Sequence, residues 1–211
     1  MSPAAVRQAA WLCLTGALLI GFGLVFILKS PILLFLVAGG VFIAWGYTAP
    51  PLSLAYRGWG ELVLFIAFGP LLVLGGYYLQ SVNFSGAAAV LSLAPGFLIA
   101  ALLMANEIAD AGDDARAGKK NLAVRWGPSR AGVLIAVGIG GAYAVVVLGG
   151  LSGLFPATFL LILFTIFWAE RALRSLRTAV RAGGGFRLSS ARMIVFYNIF
   201  IIAMIIIILI S

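Results

Sequence analysis

The chain alternates long apolar runs with short polar interruptions. Seven runs are each about long enough to cross a hydrocarbon core of roughly 30 Å. They cover residues 6–28, 31–45, 61–79, 86–105, 131–151, 155–173 and 191–210, the second being the shortest. Within them the apolar residues are continuous rather than alternating, which excludes a membrane β-barrel. Helices are the other way to satisfy every backbone polar group in lipid. The expected fold is all-α: one domain over residues 1–211, a polytopic membrane bundle of about seven transmembrane helices. The first run is long and follows a single Arg, so it is expected to be a span and not a cleaved leader.

Seven crossings send the loops alternately to two sides. Of the 14 Lys and Arg residues, all but Lys29 then fall on one side. This bias predicts a multi-pass protein of the cell membrane, with its N-terminus cytoplasmic and its C-terminus outside. The formal net charge of +8 follows from this topology, and no nucleic-acid partner is expected. Composition agrees: 64% of residues are hydrophobic and 9% charged, against about 25% charged in a soluble domain. Mean hydropathy is +1.17. The chain has no His, which removes the commonest general base and metal ligand, and its single Cys, Cys13, reads as packing.

Glycine pairs inside the runs (39–40, 75–76, 140–141) predict close helix approach. Pro70 and Pro95 lie mid-run and are expected to kink their helices.

Against this background the scarce acids are placed oddly. Four of the six, Glu107, Asp110, Asp113 and Asp114, fall within eight positions directly after the fourth apolar run. If the helix continues that far, Asn106, Asp110 and Asp114 share one face at i, i+4 and i+8. Carboxylates about 6 Å apart repel by roughly 3 kcal/mol at an effective dielectric of about 20, and the negative end of the helix dipole adds to the cost. Helix stability does not select such a pattern, whereas a bound cation reverses both penalties. Oxygen-only ligands suit a hard ion such as Mg²⁺, which takes one or two carboxylates plus substrate phosphates. Gly118, Lys119 and Lys120 follow immediately, which suggests a metal-bridged phosphate or diphosphate. A solvated, mixed-charge interfacial loop is the other reading of the same stretch. Glu107 and Asp113 point to other faces at helical spacing and rank below Asp110 and Asp114.

A second cluster, YTAPPLSLAYRGWGE at residues 47–61, is expected on the same side. Pro50-Pro51 ends helical structure, Gly58 and Gly60 loosen the turn, and Glu61 suits a helix start. Tyr47, Tyr56 and Trp59 read either as interfacial aromatics or as π faces for a cation. Arg57 is a candidate phosphate contact.

Together the two clusters resemble the UbiA-type membrane prenyltransferase superfamily. N-E-x-x-D-x-x-x-D-x-x-x-G-K and the following N-L-A-V-R-W-G, residues 106–127, resemble its second aspartate-rich motif. Y-T-A-P-P…Y-R-G-W-G-E and F-G-P-L-L-V-L-G-G-Y-Y-L-Q, up to Gln80, resemble the loop and helix before it. The similarity is greatest to the branch acting on 1,4-dihydroxy-2-naphthoate in menaquinone synthesis.

The resemblance implies Mg²⁺-dependent transfer of a polyprenyl group from an allylic diphosphate to an aromatic quinone precursor. It implies Asp110 and Asp114 as catalytic metal ligands, assisted by Asn106. Lys119 and Arg57 would hold the diphosphate, with Tyr47 and Tyr56 in the pocket. The family has nine helices and two aspartate-rich motifs. This sequence resembles it from just after the first motif, so the expected fold is the family's minus its first two helices. The main alternative is therefore a non-catalytic remnant that binds a prenyl diphosphate without turnover. A transporter would hold its site near the midplane, and a scaffold leaves the acids unexplained.

Overall fold

The computed structural model describes residues 2–211 and is helical throughout its regular structure. Helix α1 (Pro3–Leu28) starts at Ser2, whose hydroxyl accepts from the Ala5 amide at 3.3 Å, and ends at Lys29 in the left-handed region. It packs on α2 (Ile32–Thr48), which stops just before Pro50-Pro51. Helix α3 (Gly60–Ser81) contains a wider five-residue turn, Ala67–Leu71, around Pro70. A proline cannot donate to the i−4 carbonyl, and the wider turn absorbs the mismatch. Helix α4 (Gly86–Arg116), capped by Ser85, keeps Pro95 within a continuous helix.

Helix α5 (Leu122–Leu151) is broken near its start, where Gly127 takes φ 75° and ψ 169° before Pro128. Helices α6 (Ile166–Ala182) and α7 (Phe186–Ile210) complete seven rods. Five of them, α1, α3, α4, α5 and α7, are long and apolar enough to cross a membrane. Helix α2 is apolar but shorter, at 17 residues.

The expected sixth run, 155–173, is not one apolar α-helix. Residues Ala157–Thr165 form a 3₁₀ stretch, and α6 then continues to Ala182 as an amphipathic, arginine-bearing helix. The Thr165 hydroxyl donates to the Ile162 carbonyl at 2.7 Å, a local bond that suits the tighter pitch. An all-apolar pattern carries no pitch information, so the run could not announce this change. The two pieces together are about 43 Å long, enough for a crossing.

Helix α4 is the axis of the bundle, packed by α3, α5 and α7. Leu98 and Met104 of α4, Ile135 and Val146 of α5, and Phe196 and Phe200 of α7 are buried at its core. Gly69 of α3 meets Gly96 of α4 backbone to backbone: a Cβ on Gly69 would stand 2.8 Å from the Ser92 carbonyl oxygen. The expectation for the 140–141 pair is met at Gly141, whose Cβ would lie 3.1 Å from Phe97, while Gly140 faces open space.

Cross-links at the two ends sort the loops as the charge pattern requires. At one end the Lys120 amide donates to the Tyr56 carbonyl at 2.9 Å, and Ser190 bonds Asn106. At the other, Ser30 bonds Tyr78 and Thr158 bonds Ser211, both at 2.6 Å.

Candidate functional site

At 31 residues, α4 is about 46 Å long, against a hydrocarbon core of about 30 Å. Its length exceeds a single crossing by about three turns, and the acid cluster lies in its last three turns. The helix does continue through Asp114, so Asn106, Asp110 and Asp114 share a face, yet their surroundings differ. Asn106 is half-buried, and its side-chain oxygen accepts from Ser190 of α7. Asp110 is exposed and takes part in none of the three ion pairs among the described residues. Asp114 is buried.

Asp114 is the hub. Beyond α4, Gly118 adopts φ 76°, a conformation open to glycine at little cost. The chain turns back there, the Lys119 amide donates to the Asp114 carbonyl, and the Lys119 ammonium reaches Asp114 Oδ1 at 2.6 Å. Its hydrogen bond with Asp114 raises the Lys119 pKa above the ordinary 10.5. The other carboxylate oxygen, Oδ2, accepts from Asn121 Nδ2 at 2.8 Å. Asn121 is 1% exposed and also caps α5, its Oδ1 accepting from the Val124 amide at 2.9 Å.

The 47–61 segment closes over this hub. Tyr56 lies under the Lys119 ammonium, 5.5 Å from ring centroid to nitrogen, a cation–π distance. Gly58, at φ 81°, lets the turn pass close to Leu122 and the Lys120 carbonyl. Arg57 is exposed and donates to the Pro51 carbonyl at 2.7 Å, bracing its own loop. Asp113, also exposed, pairs with Arg116.

Three participants are not evident from the sequence. Asn121 reads there only as the first residue of the N-L-A-V-R-W-G stretch, with no role of its own. Ser190, on a distant helix, has no local signal. Glu107, ranked low on spacing, is 7% exposed and faces inward to Glu61, with Tyr47 beside both. Both carboxyl oxygens of Glu61 and Oε2 of Glu107 are buried without a hydrogen-bond partner. Two carboxyl groups from different helices thus stand together, placed to share a proton between them.

Tyr47 also forms the head of an apolar trough of about 600 Å³ between α2 and α3. The trough runs past Gly40, Phe68, Leu71 and Gly76 to Leu79. Gly40 and Gly76 have open space where a Cβ would stand, and the Pro70 turn supplies part of one wall.

No group of three or more His, Cys, Asp or Glu able to hold a metal occurs among the described residues. A cation here would have to complete its shell with substrate oxygens and water, which is how Mg²⁺ usually binds. Asp110, exposed and outside the ion pairs, has both oxygens open for such an ion, whereas both oxygens of Asp114, one helical turn on, are engaged by Lys119 and Asn121. The site therefore combines an acidic face, cations from two loops, buried acceptors and an apolar trough.

Comparison with known proteins bears on this combination. The UbiA prenyltransferase family profile matches residues 1–191. A 2-carboxy-1,4-naphthoquinone phytyltransferase of Synechocystis is 32% identical over 139 residues, covering 66% of this chain and 45% of the relative. A 1,4-dihydroxy-2-naphthoate octaprenyltransferase of Mycobacterium tuberculosis is 37% identical over 133 residues, covering 63% and 45%. The Escherichia coli protein of the same description is 36% identical over 95 residues, covering 44% and 31%. The chain thus spans less than half the length of each of these relatives. No solved structure gives a significant match.

Proposed function

The chain belongs to the UbiA prenyltransferase family, and on that premise we propose that it transfers a polyprenyl group from an allylic diphosphate to a dihydroxynaphthoate-type ring in quinone biosynthesis. The observation that carries the reading is the meeting of two chemistries across Glu107, which neighbours Asp114 and Lys119 on one side and Tyr47, at the head of the trough, on the other. The polar hub of Asp110, Asp114 and Lys119 suits a metal-bound diphosphate. The apolar trough along α2 and α3 suits the tail attached to it.

In this reading Asp110 and Asp114 hold Mg²⁺, with Asn106 assisting. When bound, the ion supplies positive charge to the departing diphosphate. Lys119, Lys120 and Arg57 contact the diphosphate oxygens from both loops. The allylic C–O bond breaks with its electron pair going to the diphosphate. A ring carbon of the acceptor forms the new C–C bond, and the ring then releases the group it carried at that carbon. Tyr47 and Tyr56 present π faces toward the developing allylic charge. The ring hydroxyls donate to the unpartnered oxygens of Glu61 and Glu107, and the apolar walls keep water from the cation. The hub faces the cytoplasm, because all but one of the 14 cationic side chains lie at its end of the bundle.

A second reading draws on the closure of Asp114 by Lys119 and Asn121. A hub satisfied within the chain suits binding of a prenyl diphosphate without turnover. Radiolabelled polyprenyl diphosphate and 1,4-dihydroxy-2-naphthoate, supplied to the chain in proteoliposomes with Mg²⁺, separate the two. Labelled prenyl-naphthoid product supports transfer. Saturable binding of the diphosphate with no product supports the second reading, and the absence of both product and binding overturns the two readings alike.

A further inference from the structure

A second groove lies outside the site, between α5 and α6, with a volume of about 330 Å³. Its floor and walls are apolar, including Val133 and Ala136 of α5 and Leu173 and Val180 of α6. Gly132 keeps the helices close: a Cβ there would touch Leu176 at 3.5 Å. Its polar rim is Ser129, Arg177 and Arg181.

The two arginines are one helical turn apart, so they share a face and repel each other. Neither belongs to any ion pair among the described residues, and the acid on their own helix, Glu170, is taken by Arg174. No acidic side chain lines the groove. The rim also sits at a recognisable depth. Trp126, 43% exposed, stands three residues before Ser129, beside Arg125 and Arg130. Exposed Trp and Arg at a helix start mark the headgroup level of a bilayer. Below that level the groove is walled by carbon, which a soluble anion does not use.

We propose that this groove is a binding site for an anionic phospholipid. Its phosphate lies between Arg177 and Arg181, which offer planar, multiply donating guanidinium groups. One acyl chain runs along Val133, Ala136 and Leu173. A basic pocket between membrane helices on the cytoplasmic side is the expected form of such a site. The inference is independent of the transferase reading.

The test is lipid binding to the purified, delipidated chain in neutral detergent, read by native mass spectrometry. Phosphatidylglycerol and phosphatidylcholine of matched acyl chains are the probes. The chain is expected to bind phosphatidylglycerol about tenfold or more tightly than phosphatidylcholine. The variant R177Q/R181Q should lose that preference. The variant R171Q/R187Q removes the same charge from exposed positions outside the groove and should keep it. Equal binding of the two lipids by the unaltered chain would overturn the proposal, as would equal loss in both variants. Displacement of phosphatidylglycerol by equimolar inorganic diphosphate would also overturn it, by assigning the arginine pair to a soluble anion.

Discussion

The ammonium of Lys119 lies 2.6 Å from Oδ1 of Asp114, across the glycine turn that ends α4. This contact joins the acidic face of one helix to the loop that starts the next, and it fixes the geometry around which the other candidate residues gather. Replacing Asp114 with Asn keeps the shape and removes the charge. In an assay of prenyl transfer we expect at least a tenfold loss of turnover, about 1.4 kcal/mol in barrier terms. Arg125→Gln, which removes a charge outside the hub, should cost much less.

The same ion pair predicts a pH dependence of stability. The Lys119 pKa is raised above 10.5 by its bond to Asp114, so the folded state binds the proton more tightly than the unfolded chain. The stabilisation is fully present below the unfolded-state value and fades as pH rises through the higher folded-state value. Lys119→Met should therefore be less stable than the unaltered chain at neutral pH. The gap should close only above about pH 10.5 in unfolding curves taken across the alkaline range.

Asn121 serves two elements at once, capping α5 and holding Asp114 Oδ2. Asn121→Ala loses a cap and strands part of a buried carboxylate. A cost of about 1–3 kcal/mol is expected in equilibrium unfolding. Asn121→Asp, which keeps the cap acceptor but sets a second carboxylate against Asp114, should not restore stability.

Glu107→Gln tests the buried carboxyl pair. The amide preserves volume but cannot take up or release the proton that the two carboxyls are placed to share. The expected result is a KM for the aromatic acceptor raised about tenfold, with affinity for the prenyl diphosphate unchanged. Steady-state kinetics with each substrate varied in turn separates the two effects.

Gly69 and Gly96 bring α3 and α4 into backbone contact. Gly69→Val has no side chain to push aside, only the Ser92 carbonyl and the Gly96 backbone. A loss of about 1–3 kcal/mol is expected in detergent-driven unfolding.

Much of this could be read from the chain. Hydropathy located the helices because lipid allows few alternatives, but it ended the fourth run at residue 105. The continuation of α4 through Asp114 entered only as a condition on the acid spacing, which an interfacial loop could also have carried. The stop before Pro50-Pro51 was legible from backbone chemistry. The 3₁₀ entry to α6 was not, because ATFLLILFT is apolar on every face and carries no period. Spacing ranked Glu107 low because it takes α4 in isolation. Its burial is set by α2 and α3, which spacing within one helix cannot see. Ser190 and Asn106 meet across 84 residues, a pairing with no local trace.

The central claim is that Asp110 and Asp114 bind a diphosphate through a divalent ion. Calorimetric titration of the whole chain with a non-hydrolysable prenyl thiodiphosphate, with and without Mg²⁺, tests it most directly. The account predicts saturable heat that requires Mg²⁺ and disappears in D110N/D114N. Binding of equal strength without Mg²⁺, or binding that survives the double substitution, would contradict it.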